Sequence, residues 1–219
     1  YIQEHPANNL DTYQSINQYI NYLENEMTMI KDNSIDVVIS NCVLNLVSTE
    51  EKETLFKEIY RVLKDGGKAV ISDIVSNVKV PEKLRQDENL WSGCYSGAIQ
   101  EKSFIEHFEN VGFYGVKIDK REKTWTTIEN IDFRSMTIIA HKGKEGPCID
   151  KGQSVIYKGP FKHIKDDDDH IFERGERTFV CEKTFNILQQ NPYKGVFEFI
   201  NENEEAIDLE KCCDTSCGC

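Results

Sequence analysis

The chain has 219 residues, 38 acidic against 26 basic side chains, a net charge of −12 and 39% hydrophobic residues. Phosphate backbones and anionic membranes are bound by Lys/Arg-rich faces, so nucleic acid and membrane surfaces are excluded as partners. No run of about 18 apolar residues is present, which excludes a membrane-spanning helix.

The chain opens on Tyr1 rather than Met and shows no signal peptide. It is expected to be a truncated or processed piece of a cytoplasmic protein. The first feature with chemical content is Ile35 to Ile39, a β-branched apolar run. It predicts a strand buried on both faces. Polar Ser40 and Asn41 end the strand, and Cys42 follows at once. In a parallel α/β sheet the carboxyl end of a strand is where ligands bind, so this thiol sits at a place suited to chemistry.

Ser48-Thr49-Glu50-Glu51 reads as a capping box. Leu55, Phe56, Ile59, Val62 and Leu63 then share one helical face, and Gly66-Gly67 is expected to stop the helix. Lys68 to Ile74 reads as a second strand. Strand, capped helix and strand form a βαβ unit, normally parallel and right-handed.

Downstream, Pro81 to Asn89 predicts a short helix. Cys94 lies in a polar, glycine-containing turn. Ser103 to Asn110 predicts another helix, with Phe104, Ile105 and Phe108 on one side. Tyr114 to Ile118 and Phe133 to Ala140 read as a late antiparallel pair closing a mostly parallel sheet.

Composition shifts near Gly143 to Pro147, where a smaller module begins. It holds a strand over 154–157, an acidic run Asp166 to Asp169 expected to be a solvated loop, a strand over 179–181 and a helix over 184–190. The expected division is 1–143, 144–200 and an acidic, cysteine-rich tail over 201–219.

Eight cysteines in such a chain favour metal ligation or thiol chemistry over a disulfide scaffold. Cys148 and Cys181 read as structural or incidental. For Cys212, Cys213, Cys217 and Cys219 in the tail, a relay for a soft metal ion and a terminus without a defined role both stay open. The five histidines show no metal-ligand spacing. An α/β sheet raises the prospect of a nucleotide-like cofactor, yet the first glycine is Gly66, so the usual glycine-rich first turn has no place in the opening 65 residues.

Ser40-Asn41-Cys42-Val43-Leu44-Asn45-Leu46 resembles the arsenite methyltransferases, S-adenosylmethionine-dependent enzymes acting on trivalent arsenic. So do Lys64-Asp65-Gly66-Gly67 with Ser72-Asp73, and Leu90-Trp91-Ser92-Gly93-Cys94-Tyr95-Ser96-Gly97-Ala98. Gln153, Tyr157-Lys158-Gly159, Phe172-Glu173-Arg174-Gly175 and the Cys212-Cys213 tail are similar too.

The resemblance implies a Rossmann-like class I methyltransferase sheet, incomplete at its N-terminus, followed by a smaller α+β domain. It implies that Cys42 and Cys94 are catalytic thiolate ligands of As(III). It places Leu23 and Glu24 near the adenine, with Asn21 standing where the family has glycine, and has Ser40 and Asn41 line the cofactor. The implied partners are As(III), free or as a glutathione conjugate, and a thiol reductant such as thioredoxin or glutathione.

Soft thiolates suit a soft ion. Arsenic held by sulfur keeps a lone pair, so methylating it needs no general base, and the protein contributes mainly placement. The family's glycine-rich loop and its further N-terminal cysteines, one a third arsenic ligand, have no counterpart here. The fragment is therefore expected to bind S-adenosylmethionine poorly and turn over little. The rivals are a quinone-type methyltransferase, which needs no paired cysteines, and a non-enzymatic thiol-rich metalloid binder, which needs no βαβ core.

Overall fold

A computed structural model describes residues 9–25, 28–201 and 207–208, with the backbone alone at 23–25 and 207–208. The elements run α1 (Leu10–Asn25), β1 (Ile35–Asn41), a 3-10 turn (Leu44–Leu46), α2 (Lys52–Val62), β2 (Leu63–Ser76), α3 (Glu82–Arg85), α4 (Glu88–Ser92), β3 (Ile99–Gln100), α5 (Glu101–Asn110), β4 (Tyr114–Arg121), β5 (Thr126–Ile128) and β6 (Ile131–His141). The second half adds β7 (Ile149–Asp150), β8 (Gln153–Tyr157), β9 (His163–Lys165), β10 (Ile171–Glu173), β11 (Arg177–Phe179), α6 (Glu182–Leu188), β12 (Phe197–Asn201) and β13 (Ile207–Asp208). No helix among the described residues is long and apolar enough to cross a membrane.

The main sheet has the order β1-β2-β6-β4, with β3 beside β2 and β5 beside β6. β1 and β2 pair in parallel across α2, as the βαβ pattern predicts. β6 runs antiparallel to both β2 and β4, as the late pair predicts. The sheet is mixed rather than mostly parallel among the described residues, because β5 also joins β6 antiparallel and only β3 adds a second parallel pairing.

β1 is not buried on both faces. It pairs with β2 alone among the described residues, and Val37 and Ile39 are 40% and 74% exposed. Apolarity marked the strand, but its place at the sheet's edge depends on neighbours that composition does not report.

α2 ends at Val62, four residues before Gly66. Lys142 Nζ donates to Tyr60 O at 2.9 Å, Asn33 N to Arg61 O at 3.0 Å and Ser34 N to Val62 O at 2.9 Å. These donors satisfy the helix's last carbonyls and release the chain into β2 early. The two glycines instead shape the irregular start of β2, where the register slips between Ile35/Leu63 and Val37/Lys68. Gly66 has φ +77°, and a Cβ on Gly67 would lie 2.8 Å from Lys64 O.

Ser48 Oγ accepts from Glu51 N at 3.3 Å and donates to Glu51 Oε2 at 3.0 Å, but this pairing lies one turn ahead of α2, whose N-cap is Glu51 with no side chain capping it. The helix expected over 81–89 is two short ones, because the Asp87 carboxylate accepts from Asn89 N and Leu90 N and starts α4 anew.

The core lies between α2, α5 and the sheet. Phe56, Phe104, Phe108 and Phe113 are fully or almost fully buried. Phe56 and Phe108 meet edge to face at 4.9 Å, with Phe113 5.6 Å from Phe108. Burying each such ring contributes about 1.5–3 kcal/mol.

The second module packs β8, β10, β12 and α6 around Tyr157, Phe172, Phe185 and Phe197. Its acidic run is folded rather than merely solvated. Asp166 accepts from Asp168 N and His170 N, and its Oδ2 lies 2.8 Å from His170 Nδ1. The strand expected over 179–181 is β11, two residues earlier, and the helix expected over 184–190 is α6, starting and ending two residues earlier. The four tail cysteines lie outside the described residues.

Candidate functional site

Cys42 follows β1 directly. Its amide still donates to Ser72 O at 2.9 Å, extending the ladder by one residue. At φ +54° the chain then turns sharply into the Leu44–Leu46 turn. That turn is fixed from the neighbouring strand by Asp73, whose side chain is buried. Asp73 Oδ2 accepts from Leu44 N at 2.9 Å and Asn45 N at 3.3 Å, and Oδ1 from Asn45 Nδ2 at 2.8 Å and Ile74 N at 2.7 Å. Burial pushes the Asp73 carboxyl up, while these amides pull the other way.

Cys94 follows α4, with its amide donating to Trp91 O at 2.9 Å and its φ at +63°. The turn beyond it is held by Ser96 Oγ, which donates toward Leu84 O at 2.8 Å and Asp87 O at 3.0 Å. Gly97 then lies hard against the Cys42 turn. A Cβ at that position would fall 1.9 Å from Asn45 O, so only glycine permits the approach.

The two cysteines are thereby brought together across 52 positions of chain: Cys94 Sγ donates to Cys42 O at 3.8 Å. Both are free, half-buried thiols packed beside Leu90 and Tyr95 on a cluster that includes Ile74 and Phe133. Burial pushes both thiols above the ordinary range, and the Asp73 charge adds to it. Both have left-handed backbone, a conformation costing a β-carbon residue of order 1–3 kcal/mol. A pair of adjacent, reduced thiols at the ligand edge of a sheet can chelate one soft ion.

Of the other sequence candidates, Ser40 is half-buried and Asn41 exposed at the end of β1, opposite Ile71 and Ser72 of β2. Leu23 and Glu24 fall in the last turn of α1, and their side chains lie outside the described residues. Trp91 is exposed, and Tyr95 packs edge to face on Phe133 at 5.2 Å. Cys181 is buried in the second module, 3.4 Å from Thr184 Oγ1, and hydrogen-bonds the Cys148 thiol.

Sequence reasoning passed over Asp73 and Gly97 as site builders. The signal for Asp73 was an acid inside the apolar strand Ala69 to Val75. Gly97 was marked only by its place in the family-like segment Leu90 to Ala98, since its need arises from a contact 52 residues away.

Residues 8–125 match a family described as a methyltransferase domain, and 144–218 match a domain of unknown function. The chain is 31% identical over 206 residues to the arsenite methyltransferase of Aquipseudomonas alcaligenes, covering 88% of this chain and 59% of that one. It is 32% identical over 176 residues to human arsenite methyltransferase, covering 75% and 46%. The chain therefore spans about half the length of these relatives. Among solved structures it is similar to CrArsM, an arsenic(III) S-adenosylmethionine methyltransferase from Chlamydomonas reinhardtii. The TM-score is 0.54 at 28% identity, over 86% of this chain and 66% of that one. The α/β sheet and its flanking helices match that fold.

Proposed function

Because the chain belongs to the methyltransferase-domain family, we propose that it methylates trivalent arsenic, with S-adenosylmethionine as methyl donor and Cys42 and Cys94 as the thiol ligands. The observation that carries this reading is the hydrogen bond from Cys94 Sγ to Cys42 O, which joins two loops from distant parts of the chain. The similarity to arsenite methyltransferases supports the choice of arsenic.

Arsenite arrives as a neutral trihydroxide. Each thiol forms one As–S bond and gives its proton to a departing hydroxide, which leaves as water. No base is required, which suits thiols that burial keeps protonated. Two sulfurs and one remaining oxygen, or a third thiol, leave the arsenic lone pair free.

S-adenosylmethionine supplies an electrophilic methyl group when bound. Ser40 and Asn41 offer a hydroxyl and an amide at the end of β1, beside the exposed apolar side chain of Ile39. Apolar surface with a few placed polar groups fits one wall of such a ligand. Leu23 and Glu24 are the further candidates for it.

In this reading residues 1–143 carry the methyltransferase part, 144–200 a small domain and 201–219 a tail. The substrate is arsenite, free or as a glutathione conjugate. Thioredoxin or glutathione keeps the thiols reduced, and the reaction serves arsenic detoxification in the cytoplasm.

The test is titration of As(III) against the wild type, Cys42→Ser and Cys94→Ser. One site that both substitutions abolish is expected, and unchanged binding in both variants would overturn the reading. Mass detection of methylated arsenic, with S-adenosylmethionine supplied and the chain joined to the family's N-terminal loop and cysteines, tests the activity; methylation of a quinone instead would move the protein to a different substrate class.

A further inference from the structure

The turn that carries Cys94 also borders a cavity of about 200 Å³, through Gly97 and Ala98. A water molecule occupies about 30 Å³ of liquid, so the space equals several waters. Lys52, Lys79, Arg85 and His107 line it, with the hydroxyls of Thr49 and Ser103, and no aspartate or glutamate is among its lining residues. Such a concentration of basic side chains stands out in a chain of net charge −12.

Lys52 is the central group. It is 3% exposed, and its Nζ donates to Gly97 O at 2.6 Å. An ammonium has three donors, and burying one without an anionic partner is costly. Among the described residues the Arg85 guanidinium is likewise bound only to neutral acceptors, Val80 O at 3.1 Å and Thr49 Oγ1 at 2.8 Å. His107 lies flat on Phe56, ring centroids 5.0 Å apart, which fixes its imidazole at the cavity wall.

Burial and then the Arg85 charge push Lys52 down to about 8, against weaker support from Asp73 and Glu50. His107 is pushed down by burial and by Lys52, against Glu53 and Glu106. The carboxylate of Asp73 is already engaged by four donors of its own. The cavity lining thus holds no carboxylate of its own to match Lys52 and Arg85, and the carboxylates that support Lys52 act from outside it.

We propose that this cavity is an anion-binding site for the phosphoryl or carboxylate group of a small metabolite, with Lys52 and Arg85 as its anchors. A buried ammonium beside a planar guanidinium is the donor set that recognises such oxygens. The site is distinct from the thiol pair, and its existence does not depend on arsenic chemistry.

Calorimetric titration of the whole chain with inorganic phosphate, and separately with succinate, tests the assignment. One saturable site is expected for at least one of the two anions, and the anion preferred identifies the phosphoryl or carboxylate source. Lys52→Met and Arg85→Gln should each weaken it about tenfold or more, the loss of one charged hydrogen bond. Cys42→Ser should leave it unchanged, which separates this site from the thiol pair. Should Lys52→Met fail to fold, the half-buried Arg85 carries the comparison. No binding of either anion, or equal affinity in wild type and Arg85→Gln (an adventitious ion only), would overturn the proposal.

Discussion

In the segment between α4 and β3, Cys94 meets Cys42 through a weak thiol–carbonyl contact, whereas Gly97, three residues on, accepts from the ammonium of Lys52. On the thiol side, burial and Asp73 favour neutral sulfur. On the cavity side, cations crowd together and burial disfavours their charge. Burial favours the neutral form of both kinds of group. What distinguishes them is the ligand each would welcome, a neutral arsenic hydroxide on one side and an anion on the other. Asp73 acts on both sides at once, raising the two thiols and raising Lys52.

Gly97→Ala should break the comparison outright, because both sides depend on the same close approach. A methyl 1.9 Å from Asn45 O forces the two turns apart. The expected cost is about 3 kcal/mol, at the upper end for overpacking, read by denaturant unfolding. As(III) and phosphate binding should fall together.

Cys94→Ser should separate the sides. Losing one arm of a chelate typically costs at least about a hundredfold in affinity. As(III) binding should fall by that order while phosphate binding holds, and a parallel loss of both would show that the two sites are one.

Asp73→Asn is subtler. Replacing one carboxylate oxygen by a carboxamide NH2 leaves backbone amides of the Cys42 turn without an acceptor, at a cost of about 1–3 kcal/mol. It also removes the negative charge that holds the thiols up, so both should titrate lower and alkylate faster with iodoacetamide at neutral pH. An unchanged alkylation profile would mean that burial alone sets the thiols.

The smallest effect concerns pH. Lys52, pushed to about 8 by burial and Arg85 against Asp73 and Glu50, carries its charge below that value and loses it above. Phosphate is already dianionic by that pH, so its affinity should decline above about 8, by at most about tenfold per unit. Binding that rises above pH 8 would remove Lys52 from the anchor role.

Much of this arrangement was legible in the residues. The βαβ unit followed from periodicity and from Ser48 and Glu51, and Cys42 was marked by its place after an apolar run. The contact between Cys42 and Cys94 followed only from family likeness, since no spacing rule links positions 52 residues apart. The helix end at Val62 was hidden because Lys142, just beyond a distant strand, supplies a donor together with Asn33 and Ser34. The edge position of β1 was hidden for the same reason: exposure of Val37 and Ile39 is a property of neighbours. The cationic cavity was invisible because Lys52 and Arg85 belong to different helices and each looks like an ordinary surface charge along its own segment.

The positive φ angles of Cys42 and Cys94 carry a consequence for how such a protein can change. At both positions the backbone would be at greater ease with glycine, the very replacement that deletes a thiol. Selection for heat resistance alone would therefore tend to erase the pair, and only a use for the two thiols would keep it.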